Sequence, residues 1–121
     1  MSYDDNNIFA KILRGEIPCS KIYENDYVLS FYDVNPQKKI HALIIPKGKY
    51  VDLDDFNTKA SDKEIVGLIK GISIVAKTLG ISVDIGKGYR TLANISEHGG
   101  QEVPHLHFHL FGGEKVGKMV E

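Results

Sequence analysis

The chain reads as an α+β domain with about five short strands in a mostly antiparallel sheet and two helices. Three observations predict this. His105-Leu106-His107-Phe108-His109-Leu110 alternates imidazole with apolar side chain, the period of a strand. Ile65, Leu68, Ile69, Ile72, Val75, Ala76 and Leu79 recur at helical spacing. The remaining β-branched and aromatic runs are short and bounded by turn residues, which suits strands joined by short loops.

In chain order, Asn6 or Asn7 caps a first helix with Ile8, Phe9, Ile12 and Leu13 on one side; Gly15 and Pro18 end it. Lys21 to Glu24 is a strand, Asn25-Asp26 a turn, and Tyr27 to Asp33 the return strand of a hairpin. A loop must begin at Asn35-Pro36. Ile40 to Ile45 is a third strand, opened by His41 and stopped by Pro46. A helical turn is expected at Leu53 to Phe56. Ser61-Asp62-Lys63-Glu64 matches a capping box, in which the Ser and Glu side chains each satisfy a free backbone N–H. The long helix follows and ends at Gly80. Gly67 and Gly71 share a face of it, and a helix–helix contact there, across a dimer, is one expectation; simple tolerance is the other. Gly88 to Asn94 is a fourth strand. The loop Ser96 to Gln101 holds Gly99-Gly100, which suits backbone N–H groups turned toward an anion. The histidine strand comes last.

With 121 residues, the chain is expected to form one domain over 1–121. A net charge of -1, with both signs interspersed, argues against a nucleic-acid groove or a membrane-surface patch. One cysteine, Cys19, excludes an internal disulfide and a Cys-rich zinc module. The acidic, polar start lacks the features of a signal peptide, and no apolar run is long enough for a bilayer, so a cytoplasmic location is expected.

Three histidines on one strand face need a reason. Their Cα atoms would lie about 6.5–7 Å apart, about 13 Å from first to last. One ion cannot easily hold all three, although neighbouring pairs can chelate. A solvated strand face, a metal site and a catalytic row all remain open on local grounds. The row favours chemistry because imidazoles near neutrality serve as nucleophile, orienting group and proton carrier. Asp33, at a strand end, is placed either to accept hydrogen bonds from a sugar diol or to form an Asx-type turn. No Walker A loop, G-x-G-x-x-G, G-x-S-x-G or HExxH pattern occurs.

The run Gly99 to Gly113, GGQEVPHLHFHLFGG, resembles the histidine-triad (HIT) proteins, with their signature His-φ-His-φ-His-φ-φ. Ile8 to Pro18, and Phe31 to Lys47 with Asp33, Asn35-Pro36-Gln37 and His41, resemble further segments of the Hint-like branch. The resemblance implies a homodimer with a sheet continuous across subunits, and hydrolysis of P–N bonds in purine nucleoside 5′-phosphoramidates such as AMP-lysine. It implies that His107 is the nucleophile and forms a nucleotidyl-histidine, that His109 contacts the phosphate, and that His105 and His41 form a supporting pair. It further implies that Asn94 and Gln101 flank the phosphate or orient the centre, that Asp33 binds the ribose hydroxyls, and that Phe9, Ile12, Ile17 and Val34 form the base pocket. No cofactor is implied.

Three departures stand out. Many bacterial members carry Cys-x-x-Cys where Asn7 to Ala10 stand and histidine where Lys49 stands, completing a zinc site with the first triad histidine; no metal is therefore expected. Glu102 replaces the serine of animal members, which bears on leaving-group preference. No Trp-Pro-Pro tail follows Gly113. Dinucleoside polyphosphate hydrolysis, and a nucleotide-binding module with little catalysis, are the alternative readings.

Overall fold

A computed structural model describes residues 2–120; Met1 and Glu121, the ends of the expected domain, lie outside the described residues. Asn7 begins α1 (Ile8–Leu13), accepting a hydrogen bond from the Ala10 N–H on its side-chain oxygen. Gly15, at φ +79°, lets the chain turn away after the helix. The hairpin forms as β1 (Lys21–Glu24) and β2 (Val28–Tyr32), its turn held by Asn25 Oδ1 accepting from the N–H groups of Tyr27 and Val28. Next come β3 (Ile40–Pro46) and α2 (Leu53–Lys59). The expected single turn at 53–56 continues for another three residues; Asp52 caps its start, accepting from Asp55 N–H, and Lys59 pairs with Asp55 across the added turn.

Helix α3 (Asp62–Thr78) carries the predicted capping box, with both the Ser61 and the Glu64 halves present. The strand expected over 88–94 shortens to β4 (Arg90–Leu92), and one further short helix, α4 (Ser96–Gly99), follows. The final strand is β5 (Phe108–Gly112). Among the described residues there are thus four helices rather than two: α2 extends the expected turn, and α4, of 4 residues, is too short to show an apolar period.

All strand pairs are antiparallel, in the order β1-β2-β3-β5-β4. Helix α3 crosses one face over β1, β2 and β3. Val28, Ala42, Ile44, Leu68, Val75, Leu106 and Leu110 pack there, all essentially without exposure. Apart from Ala42, each such side chain stabilises the fold by roughly 1.5–3 kcal/mol through area removed from water. Gly67 and Gly71 turn out to face this same sheet rather than another helix. A Cβ on Gly67 would stand 2.9 Å from Tyr27 Cδ2, and one on Gly71 3.0 Å from Ile44 Cδ1. The glycines let α3 lie close on its own sheet. On the opposite face Phe9 of α1 packs with Leu29, Phe31, Leu43 and Ile45.

The histidine run differs from its expected form. Only Phe108 onward pairs as strand. Pro104 has no N–H to donate, and the chain bends at 103–105, with His105 N–H bonding Val103 O at 2.8 Å. Leu106 N–H reaches across to Tyr50 O instead of a neighbouring strand.

Candidate active site

The sheet register assembles the site. His41 sits opposite Phe111 and Leu43 opposite His109, so His41 and His109 are diagonal neighbours on the face under α1. His41 Nε2 and His109 Nδ1 lie 2.9 Å apart. The Gln37 backbone N–H donates to His41 Nδ1 at 3.2 Å, which makes that nitrogen an acceptor. A neutral His41 then carries its proton on Nε2 and donates it to His109 Nδ1, and a neutral His109 carries its own on Nε2. Asp33 Oδ2 stands 3.4 Å from His41 Nε2, near enough for its charge to act on that ring. Asp33 Oδ1 accepts from Asn35 N–H, so the Asx turn is real and the carboxylate also reaches the site.

The other two imidazoles are held by carbonyls. His107 Nδ1 is 2.7 Å from His105 O. A carbonyl only accepts, so Nδ1 bears the proton and Nε2 keeps a free lone pair. His105 Nε2 is 2.8 Å from Pro46 O, and its Nδ1 is 2.6 Å from the Tyr3 hydroxyl. Burial lowers all four pKa values, which keeps the rings neutral at pH 7. His105 and His109 fall to about 4, chiefly by burial, with His107 disfavouring the charged form of each. For His107 burial is opposed by the His105 carbonyl, Asp33 and Glu102.

His107 and His109 line a cavity of about 300 Å³ together with Asp33, Asn94, Gly100 and Glu102. Its apolar wall is Phe9, Ile12, Ile17 and Val34, and Phe9 meets the His107 ring edge-on at 5.0 Å between centroids. Val34, 87% exposed, forms the rim. Sequence reading missed Phe31, Tyr32 and Leu43 in this wall, because in a hairpin they look like ordinary strand residues.

Three expectations are corrected. His105 does not pair with His41; it sits on the far side of His107, against Pro46 and Tyr3, while His41 serves His109. Gln101 does not line the cavity. Its Oε1 accepts from Ser96 N–H and its Nε2 donates to Val51 O and Val103 O, so the side chain braces the loop. The Gly99-Gly100 segment is no open nest either, since the N–H groups of Gly100 and Gln101 close back on Glu97 O and Ser96 O.

The residues do not fit a metal. At His105 both nitrogens are engaged, the Asn7 amide caps α1 and bonds Asp4 O, and Lys49 pairs with Asp5 at 2.8 Å. Asp33, His41 and His109 each offer an atom within 4.8 Å of the others. Coordination there requires a bare His41 Nε2, and the Gln37 N–H keeps the proton on that atom.

The comparisons agree with this architecture. A model of the HIT domain family matches residues 14–116. An uncharacterized 13.2 kDa HIT-like protein of Azospirillum brasilense is 50% identical over 119 residues, 98% of this chain and 95% of that protein. The purine nucleoside phosphoramidase of Escherichia coli K12 is 39% identical over 117 residues, covering 96% and 94%. A HIT family hydrolase from Clostridium thermocellum superposes with a TM-score of 0.86 at 36% identity, covering 97% of this chain and 99% of that one.

Proposed function

Because the chain belongs to the HIT domain family, we propose that it hydrolyses the P–N bond of purine nucleoside 5′-phosphoramidates, of the AMP-lysine kind, through a nucleotidyl-histidine at His107. The observation that carries this reading is the bond from His107 Nδ1 to the His105 carbonyl. An imidazole attacks well only when neutral and held in one tautomer, and that bond supplies both conditions beside a nucleotide-sized cavity. The similarity to a phosphoramidase across nearly the whole chain supports the choice of substrate.

In this mechanism Asp33 accepts from the ribose hydroxyls, and Phe9, Ile12, Ile17 and Val34 sandwich the base. His107 Nε2 attacks phosphorus as the P–N bond breaks. The departing amine takes a proton from water, leaving hydroxide. His107 becomes a nucleotidyl-imidazolium whose Nδ1–H stays on the His105 carbonyl. His109 Nε2–H and Asn94 donate to the phosphoryl oxygens as charge develops there. Hydroxide then attacks phosphorus and His107 leaves as neutral imidazole, so one water is consumed and a P–N bond becomes P–O. Glu102, on the cavity wall, faces the leaving amine.

The protein is further proposed to be a single HIT domain over 1–121, cytoplasmic, without nucleic-acid or membrane partners, and a homodimer. No helix among the described residues is long and apolar enough to cross a membrane. The dimer is supported by an unpaired edge on β4 and by Val66, Ile69 and Ile74, exposed on α3. A fluorogenic adenosine phosphoramidate assay tests the activity. Wild type should turn over and His107→Ala should lose roughly 10⁴-fold or more in kcat. Silence of the wild type would sink the enzyme, and an active His107→Ala would sink the nucleophile.

A further inference from the structure

The His107 ring is held by the carbonyl of His105, so whatever fixes residue 105 fixes the nucleophile. His105 is wholly buried, at 0% exposure. Its Nε2 faces Pro46 O, which only accepts, so Nε2 carries the proton of the neutral ring. Its Nδ1 is therefore a bare acceptor in the interior, and the group that donates to it is the Tyr3 hydroxyl at 2.6 Å. The Tyr3 ring also meets the imidazole edge-on, with centroids 5.6 Å apart. Burial raises the pKa of Tyr3, so the hydroxyl keeps the proton it donates.

Tyr3 belongs to no helix or strand, yet the chain that follows it is fastened. Asn7 donates to Asp4 O from its backbone N–H and from Nδ2, Lys49 pairs with Asp5 Oδ1 at 2.8 Å, and Arg14 Nη1 donates to Asp5 O at 2.8 Å. These bonds hold a tyrosine against the back of the histidine row. We propose that Tyr3 is a positioning residue: its hydroxyl fixes the His105 ring, and through the carbonyl of that residue aims His107. It is not a catalytic residue, since it does not line the cavity. The kinetic part of this inference rests on the reading of His107 as nucleophile; the geometric part does not.

Tyr3→Phe keeps the ring contact and deletes only the donor. With Nδ1 left unsatisfied in the interior, His105 should admit water or rotate. A roughly tenfold fall in kcat is then expected, the size of one buried hydrogen bond, with KM unchanged. The second readout is ¹⁵N and ¹H NMR of the histidine rings. The His105 Nδ1 resonance and the low-field Nδ1–H of His107 should both move in Tyr3→Phe. If the His107 resonance stays where it is in wild type, or if the variant melts earlier with an unchanged kcat, Tyr3 is a packing residue and the proposal fails. Should the wild type not cleave phosphoramidates at all, the functional reading falls, and the NMR comparison alone still decides whether Tyr3 positions His107.

Discussion

Under α3, the strands β2, β3 and β5 present Val28, Ala42, Ile44 and Leu110, all shut away from water. One residue along, the same strands turn Leu29, Phe31, His41, Leu43 and His109 to the other face, where α1 covers them only in part. The backbone and its ladder are common to both faces. What differs is that the first is closed by a 17-residue helix with a continuous apolar stripe, and the second by a helix of 6 residues that leaves a cavity. Period-two alternation thus divides each strand: one set of side chains fills the closed core and the other faces the candidate site. Burial still reaches the second face, and there it does chemical service by keeping imidazoles neutral.

The largest test of this division removes a closed-face side chain. Leu68→Ala, at a site with 0% exposure, should cost roughly 2–5 kcal/mol in urea denaturation. The kcat of the folded fraction should not change; a comparable loss in kcat would show that the faces are coupled.

Acid probes the open face. His105 and His109 titrate at about 4 in the folded chain, against about 6.5 for a free imidazole. Between those values the unfolded chain binds more protons, so acid favours unfolding. The contribution is fully present above about pH 6.5 and is lost as pH falls through 4, amounting to roughly 3 kcal/mol for the fully buried His105. Urea midpoints should fall from pH 7 to 4.5, and fall less in His105→Gln. Parallel curves for the two proteins would assign the acid sensitivity elsewhere.

The smallest expected effect is at Asp33. Asp33→Asn should raise KM for a ribonucleoside phosphoramidate roughly tenfold, the cost of a charged hydrogen bond to the sugar. With a 2′,3′-dideoxy substrate, which lacks both hydroxyls, the two enzymes should converge. A persistent gap would mean that Asp33 acts through its charge beside His41.

Legibility followed the same division. The closed face could be read in the chain because apolar period and capping chemistry are local: Ser61, Glu64 and Gly80 marked α3, and Leu106 and Leu110 marked core. On the open face, His107 and His109 were found as residue types, but their partners were not. His41 meets His109 only through the register of β3 on β5, Tyr3 meets His105 across 102 positions, and Gln101 is claimed by backbone carbonyls of its own loop and of Val51. Alternation also overran its true extent, because the bend at 103–105 lies in the main chain and leaves the side-chain pattern untouched.

The acceptor for His107 is a peptide oxygen. Every residue type at position 105 brings that oxygen with it, so the contact cannot be deleted by exchanging the side chain there; it can only be misaimed. Alanine scanning would therefore pass over the anchor of the proposed nucleophile and report instead the side chains around it. Replacing the 105–106 amide with an ester weakens that carbonyl as an acceptor without altering any side chain; it also removes the Leu106 N–H that bonds Tyr50 O, so a control that weakens the Leu106–Tyr50 bond alone is read beside it.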